Sequence, residues 1–256
     1  MAAQLVLTAL EGVPTVRPGD DLAEIIVGSA ARTGVALRDG DIVVVAQKIV
    51  SKAEGRFAYL REVEPSAEAR ALAAQSAKDP RVVELILRES TEVLRARPGV
   101  IIVAHRLGFV MANAGIDASN VEHDAADGEA VLLLPENPDA SAARLRDRLR
   151  AATGVDLAVI INDSFGRAWR LGTIGTAIGA AGLPALLDLR GTPDRAGRPL
   201  QVTEVGIADE VAAAASLLMG QAAEGRPVIH VRGFPYERRD GSVAELVRPK
   251  DEDLFR

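Results

Sequence analysis

The stretch Val155-Asp156-Leu157-Ala158-Val159-Ile160-Ile161-Asn162-Asp163-Ser164 decides how the chain is read. Residues 157–161 are all apolar and of strand length. They lack the alternation of a strand with one wet face, so they read as a strand buried on both sides. Such a strand needs a packed layer against each face. It runs without a break into Asn162-Asp163-Ser164, which puts an acid and a hydroxyl at its tip. Residues 42–46, Ile-Val-Val-Val-Ala, repeat the pattern after the turn Asp39-Gly40-Asp41, and residues 228–232 repeat it near the end of the chain.

Outward from these strands, residues 5–10 form a short strand stopped by Gly12-Val13-Pro14. Asp20 or Asp21 caps a helix that continues to Thr33, with Leu22, Ile25 and Ile26 on its apolar side. Helices are also expected over residues 65–77, 81–94, 139–152 and 210–219, the last closed by Gly220. Residues 99–104 and 107–111 suit a hairpin, and residues 132–134 a short strand. Residues 172–182 are rich in glycine and alanine, suited to close packing or to a ligand's approach to backbone. The irregular alternation points to a mixed α+β arrangement, and the length suits one domain over residues 1–256 or two small interleaved parts.

With 256 residues, 48% of them hydrophobic, the chain can bury a substantial core. A net charge of −6 without basic runs argues against a nucleic-acid binder. The absence of cysteine excludes disulfides, a thiolate nucleophile, zinc–thiolate sites and iron–sulfur clusters. No positive residue precedes the short apolar N-terminal stretch, as a signal peptide would require. No apolar run approaches the roughly 20 residues of a membrane span. The expectation is a cytoplasmic protein with no membrane and no nucleic-acid partner.

Candidate chemistry starts with acids. Asp163 ends a buried strand, and Asp117 lies in the polar stretch Asn113-Ala114-Gly115-Ile116-Asp117-Ala118-Ser119-Asn120. Hard cations such as Mg²⁺ and Mn²⁺ take one or two carboxylates plus hydroxyl, water and phosphate oxygens. The plainer reading makes each acid a cap or turn residue. Gln47, Lys48 and Lys52 follow the strand over residues 42–46, where a lysine meets phosphate or simply solvent. Arg167 and Arg170 flank the lone tryptophan, Trp169. Met219-Gly220-Gln221-Ala222-Ala223-Glu224-Gly225-Arg226 is a glycine-flanked turn, able to offer N–H groups to a nucleotide or only to stop a helix. No P-loop, dinucleotide fingerprint or serine-hydrolase elbow occurs. The three histidines, His105, His123 and His230, match no metal spacing.

Taken in order, several segments resemble one family. They are Glu11-Gly12-Val13-Pro14, Gly40-Asp41, Ser51-Lys52-Ala53-Glu54-Gly55-Arg56, residues 113–120, Asn162-Asp163-Ser164-Phe165-Gly166-Arg167, Val202-Thr203-Glu204, Ala208-Asp209-Glu210, Leu218-Met219-Gly220 and Val231-Arg232-Gly233. The series resembles the coenzyme F420-0:L-glutamate ligases and covers nearly the whole chain. The resemblance implies mixed sheets in intertwined subdomains, assembled as an intertwined homodimer. It also implies GTP-dependent activation of a carboxylate on the deazaflavin coenzyme F420-0 as an acyl phosphate. The amine of L-glutamate then displaces phosphate, and a second glutamate can follow through a γ-linkage.

By position, the resemblance makes Asp117, Asp163 and Lys52 catalytic, and Asp117, Asp163, Ser164 and Gln221 ligands of Mn²⁺ or Mg²⁺, with K⁺ as a further ion. It assigns nucleotide contacts to Glu11, Gly12, Val13, Pro14, Gln47, Lys48, Lys52 and Asn120, and to Met219, Gly220, Gln221, Ala222, Ala223, Glu224, Gly225 and Arg226. Ser164 stands where many members carry threonine, and keeps the hydroxyl. Gln47-Lys48 replaces a serine-threonine or serine-lysine pair. With Arg256 as the last residue, the expectation is a ligase without the C-terminal reductase-like domain of some bacterial members. The alternatives are the same chemistry on another acid and amino acid pair, or a non-catalytic nucleotide- or deazaflavin-binding protein.

Overall fold

A computed structural model describes residues 3–117 and 129–253. In chain order its elements are β1 (Val6–Ala9), α1 (Leu22–Thr33), β2 (Ile42–Ala46), α2 (Gln47–Ala53), β3 (Phe57–Tyr59), α3 (Ala67–Ser76), α4 (Pro80–Arg88), β4 (Ser90–Arg97), β5 (Val100–His105) and β6 (Val110–Ala112). After these come β7 (Ala130–Leu132), α5 (Pro138–Thr153), β8 (Ala158–Arg167), β9 (Arg170–Ala181), β10 (Leu187–Asp188), β11 (Glu204–Val205), α6 (Ile207–Met219) and β12 (Val228–Arg232).

The central sheet has the order β1-β12-β2-β8-β9. β2 and β8 run parallel, and every other neighbouring pair is antiparallel. Alternate residues of the middle strands feed two cores. Val43, Val45, Val159 and Ile161 pack with α1 and α5, while Ile42, Val44, Ala158 and Ile160 pack with α6. The two-sided burial read from the sequence follows from this sandwiching. Helix boundaries follow local chemistry. Asp21 accepts from the N–H groups of Ala23 and Glu24, and Gly34 at φ 73° closes α1. Asn137 caps α5, with Pro138 in its first turn.

After α2 the chain leaves the central sheet and returns to it through α5. The intervening segment builds a sheet of order β4-β5-β6, covered by α3 and α4 through Ala69, Ala73, Val83, Ile86, Ile101 and Val103. The short β3–β7 pair lies between these two parts in sequence. The α+β class agrees with the sequence reading.

Four local expectations change. The helix expected over residues 81–94 stops at Arg88, and residues 90–97 form β4. Thr91 and Val93 are β-branched, and β5 supplies a ladder that a longer helix would forgo. The strand expected at 132–134 occupies Ala130–Leu132, because pairing with β3 sets Phe57 opposite Leu132. Residues 47–53, read only as a segment after a strand, form α2. Asp163 is not at a strand tip: β8 continues to Arg167, paired with the glycine-rich β9. The glycines of β9 serve close packing. A Cβ on Gly175 would come within 2.4 Å of the Ala212 carbonyl oxygen of α6, and one on Gly179 within 2.4 Å of the Pro138 oxygen of α5.

Candidate functional site

The strand directions gather the chemistry at one end of the sheet. β1, β2 and β8 point the same way, and β12 runs against them. The segments after β1 and β2, the polar half of β8 and the loop before β12 therefore share an edge. Ala46 N donates to the Pro227 oxygen at 2.8 Å and Leu10 N to the Val228 oxygen at 2.9 Å, tying three of these ends together.

An open cleft of about 370 Å³ lies there, within the size range of small-molecule sites. Gln47 and Lys48 from α2, Asp117, Asn162 to Ser164 from β8, and Met219 to Ala222 with Gly225 and Arg226 line it. Lys48 Nζ lies 2.7 Å from Asp117 Oδ2. The Asp117 backbone is locked by a reciprocal pair, its N–H donating to the Leu132 oxygen at 3.0 Å and its own oxygen accepting from Leu132 N at 2.8 Å. Asp163 Oδ1 accepts from Ser164 N at 2.8 Å. Burial pushes the Asp163 carboxyl up to about 6, with the Asp117 carboxylate adding to the shift and Lys48 opposing it. Successive residues of a strand face opposite sides. Ser164 accordingly turns away from Asp163, and its Oγ lies 2.9 Å from Gln221 Oε1 in a hydrogen bond with the hydroxyl as donor.

The loop from Met219 to Arg226 is shaped by Gly220 at φ 74° and Gly225 at φ 66°, values that favour glycine. Glu224 folds back inside it, Oε2 accepting from Ala222 N at 2.8 Å, and backbone donors hold its carboxyl below the usual range.

Most of the expected site residues thus meet in one cleft. Glu11, Gly12, Val13 and Pro14 sit at the same sheet edge beyond β1, but outside the cleft wall, where Gly12 O accepts from Arg32 at 2.9 Å. Lys52 lies one helical turn beyond Lys48 on α2, also outside the wall. Asn120 falls outside the described residues, as does His123. His230 is buried in β12, away from the cleft, with Nε2 2.9 Å from Asp41 Oδ2.

Two residues went unnoticed as site parts. Asn162 is buried in the wall, its Nδ2 donating to Met219 Sδ at 3.3 Å, so it fixes the start of the glycine loop. Arg56 holds the strand that holds Asp117. Its Nε donates to the Leu134 oxygen at 2.9 Å, its carbonyl accepts from Leu133 N at 2.9 Å, and Glu89 lies 3.4 Å from its guanidinium. Neither polar residue carries a spacing signal; only the fold gives them partners.

The donor set is hard: two carboxylates, a hydroxyl and an amide oxygen. Among the described residues no three acidic or histidine side chains converge. Two carboxylates with phosphate and water oxygens are nonetheless the usual complement for Mg²⁺. The raised Asp163 carboxyl, crowded by Asp117, is the kind of site a cation relieves. The residues fit a divalent metal.

Known proteins supply the remaining comparison. The family model for F420-0:Gamma-glutamyl ligase matches residues 12–233. The chain is 49% identical over 252 residues to the coenzyme F420:L-glutamate ligase of Methanothermobacter thermautotrophicus, covering 98% of each chain. Against the enzyme of the same name from Methanopyrus kandleri it is 48% identical, over 96% of this chain and 97% of that one. Against that of Archaeoglobus fulgidus it is 43% identical, over 96% and 94%. With the acids, the hydroxyl and the glycine loop assembled at one sheet edge, and the match running from Gly12 to Gly233, the chain belongs to the F420-0:gamma-glutamyl ligase family.

Proposed function

We propose that this chain joins L-glutamate to coenzyme F420-0 using GTP and a divalent cation, through an acyl phosphate. A family of amide-bond-forming ligases is already indicated by the match along its length. The observation that carries the finer reading is the cleft that Asp117 and Asp163 both line beside the glycine loop.

In this reading a carboxylate oxygen of the acceptor attacks the γ-phosphorus of GTP. The bond to the β–γ bridging oxygen breaks and GDP leaves. The amine of glutamate then forms the C–N bond, the carbon–oxygen bond to phosphate breaks, and the amine proton passes to solvent. Asp117 and Asp163 are the residues that would hold Mg²⁺ or Mn²⁺, and Ser164 with Gln221, on the other face of the strand, would serve a separate ion. Such a cation neutralises charge on a transferring phosphoryl group. The rest falls to the chain. Lys48 and Lys52 present cations one turn apart on α2, and the glycine loop lets phosphates approach backbone N–H groups. Catalysis by positioning and electrostatics needs no histidine base.

The test is mass spectrometry of F420-0 incubated with purified protein, L-glutamate, GTP and Mn²⁺. The expected product is heavier by a glutamyl residue, with an equivalent of GDP. Unchanged F420-0 with GTP still consumed would move the search to another acceptor; no product and no GDP would contradict the ligase reading. Among the described residues no helix is long and apolar enough to cross a membrane.

A further inference from the structure

Beside the cleft lies a second concavity of about 240 Å³, whose wall includes Phe109, Phe165, Thr176, Asp209, Leu246 and Arg248. Two of its wall residues neighbour Asp163 on the sheet. Phe165 follows Asp163 by two residues on β8, with no bulge between them, so both side chains leave the same face. Thr176 stands directly across from Asp163 in the β8–β9 register, a cross-strand spacing of about 5 Å between Cβ atoms.

The chemistry of this groove differs from that of the cleft. Phe109 and Phe165 meet edge to face, with ring centroids 5.8 Å apart and planes at 71°. In a chain only 3% aromatic, such a pair offers a rare apolar surface on which a third flat ring can rest. Arg248 is exposed and forms no ion pair among the described residues. The acid in the same wall, Asp209, already spends Oδ1 on Ala177 N at 2.9 Å. Among the described residues, then, the Arg248 guanidinium is open to an anion.

We infer that this groove seats the flat aromatic head of the acid substrate, with Arg248 binding an anionic group on the same molecule. The inference rests on the ligase reading of the cleft and adds where the acceptor lies. The other flat ring available, the base of the nucleotide, is left to the glycine loop, none of whose residues lines the groove. Ser164 turns towards Gln221 and the glycine loop, whereas Phe165 turns the other way. Asp163 then stands between nucleotide and acceptor, where phosphoryl transfer must occur.

The experiment is calorimetric titration of the full chain with F420-0 and, separately, with GTP and Mn²⁺, alongside steady-state assays. Two variants keep it interpretable. Arg248→Ala touches an exposed side chain with no ion pair among the described residues, and Phe165→Leu keeps apolar bulk while removing the ring. Loss of one charge-assisted contact predicts F420-0 binding weakened about tenfold in Arg248→Ala, with GTP affinity unchanged. Phe165→Leu is expected to raise KM for F420-0 more than it lowers kcat. Unaltered F420-0 affinity in both variants, with the parent active, would overturn the inference and leave the ligase reading standing. An equal loss of GTP affinity would assign the groove to the nucleotide and overturn it too. A parent that makes no glutamylated product would overturn both.

Discussion

Asp163 carries the largest conflict between folding and function. Its carboxyl titrates near 6, above the ordinary carboxylate value, because burial and then Asp117 disfavour its charge. A carboxyl whose folded pKa is raised costs the folded state nothing below its unfolded value. The cost grows through the window between the two values and is complete above the folded one. Asp163→Asn is therefore expected to raise the melting temperature of the metal-free protein near pH 8, with the gain shrinking as pH falls to about 4.5. The same variant should lose turnover by about a hundredfold or more, as expected when charge at a phosphoryl-transfer centre is withdrawn. Melting curves at two pH values and a GDP-release assay check both halves. Arg56 acts one step back. Arg56→Ala removes the donor to the Leu134 oxygen and should weaken the response to Mn²⁺, with Arg56→Lys restoring part of it. An unchanged Mn²⁺ dependence would show that Asp117 keeps its place unaided.

Elements hold the site through buried polar contacts at the far end of the same sheet. Asp41, at the start of β2, is buried and accepts from the Arg232 guanidinium at 2.8 and 2.6 Å, with His230 Nε2 at 2.9 Å. Burial opposes its charge, but Arg232, His230 and the Arg38 N–H outweigh it and hold the carboxyl below the usual range. Its stabilisation is present above the unfolded carboxylate pKa and is lost as pH falls through the depressed folded value. Asp41→Ala should cost about 1–3 kcal/mol, since it leaves the buried His230 ring without its acceptor while Arg232 keeps access to water, read by urea unfolding. At β9, Gly175→Ala would force a methyl against the Ala212 oxygen and should cost about 1–3 kcal/mol. The elements that the sequence revealed well were those fixed by local chemistry: buried runs such as residues 42–46, and helices with caps such as Asp21 and Asn137. Those it concealed depend on partners. β4 looked helical because its apolar spacing continues that of α4, and β9 reads as a loose glycine-rich segment until α5 and α6 press against it.

At the scale of the molecule, order along the chain and order in space differ, and the site lives in that difference. Asp117 and Asp163 are joined by no spacing that a motif could express; they meet because the chain leaves the central sheet after α2 and returns at α5. Residue types alone gave each acid a cap or turn as its plainer role, and the ordered series of segments, with Ser51 to Arg56 and residues 113–120 at its heart, singled out the pair. That Lys52 and Glu11 to Pro14 lie outside the cleft wall could not be read from the series, which gives order but not distance. The measurement that bears most directly on the account uses F420-0 carrying heavy oxygen in its terminal carboxylate, with phosphate recovered after amide formation. Activation by phosphoryl transfer at the Asp163 cleft predicts one labelled oxygen in the phosphate for each amide formed. Unlabelled phosphate alongside normal amide yield would contradict the acyl phosphate and the role given to this site.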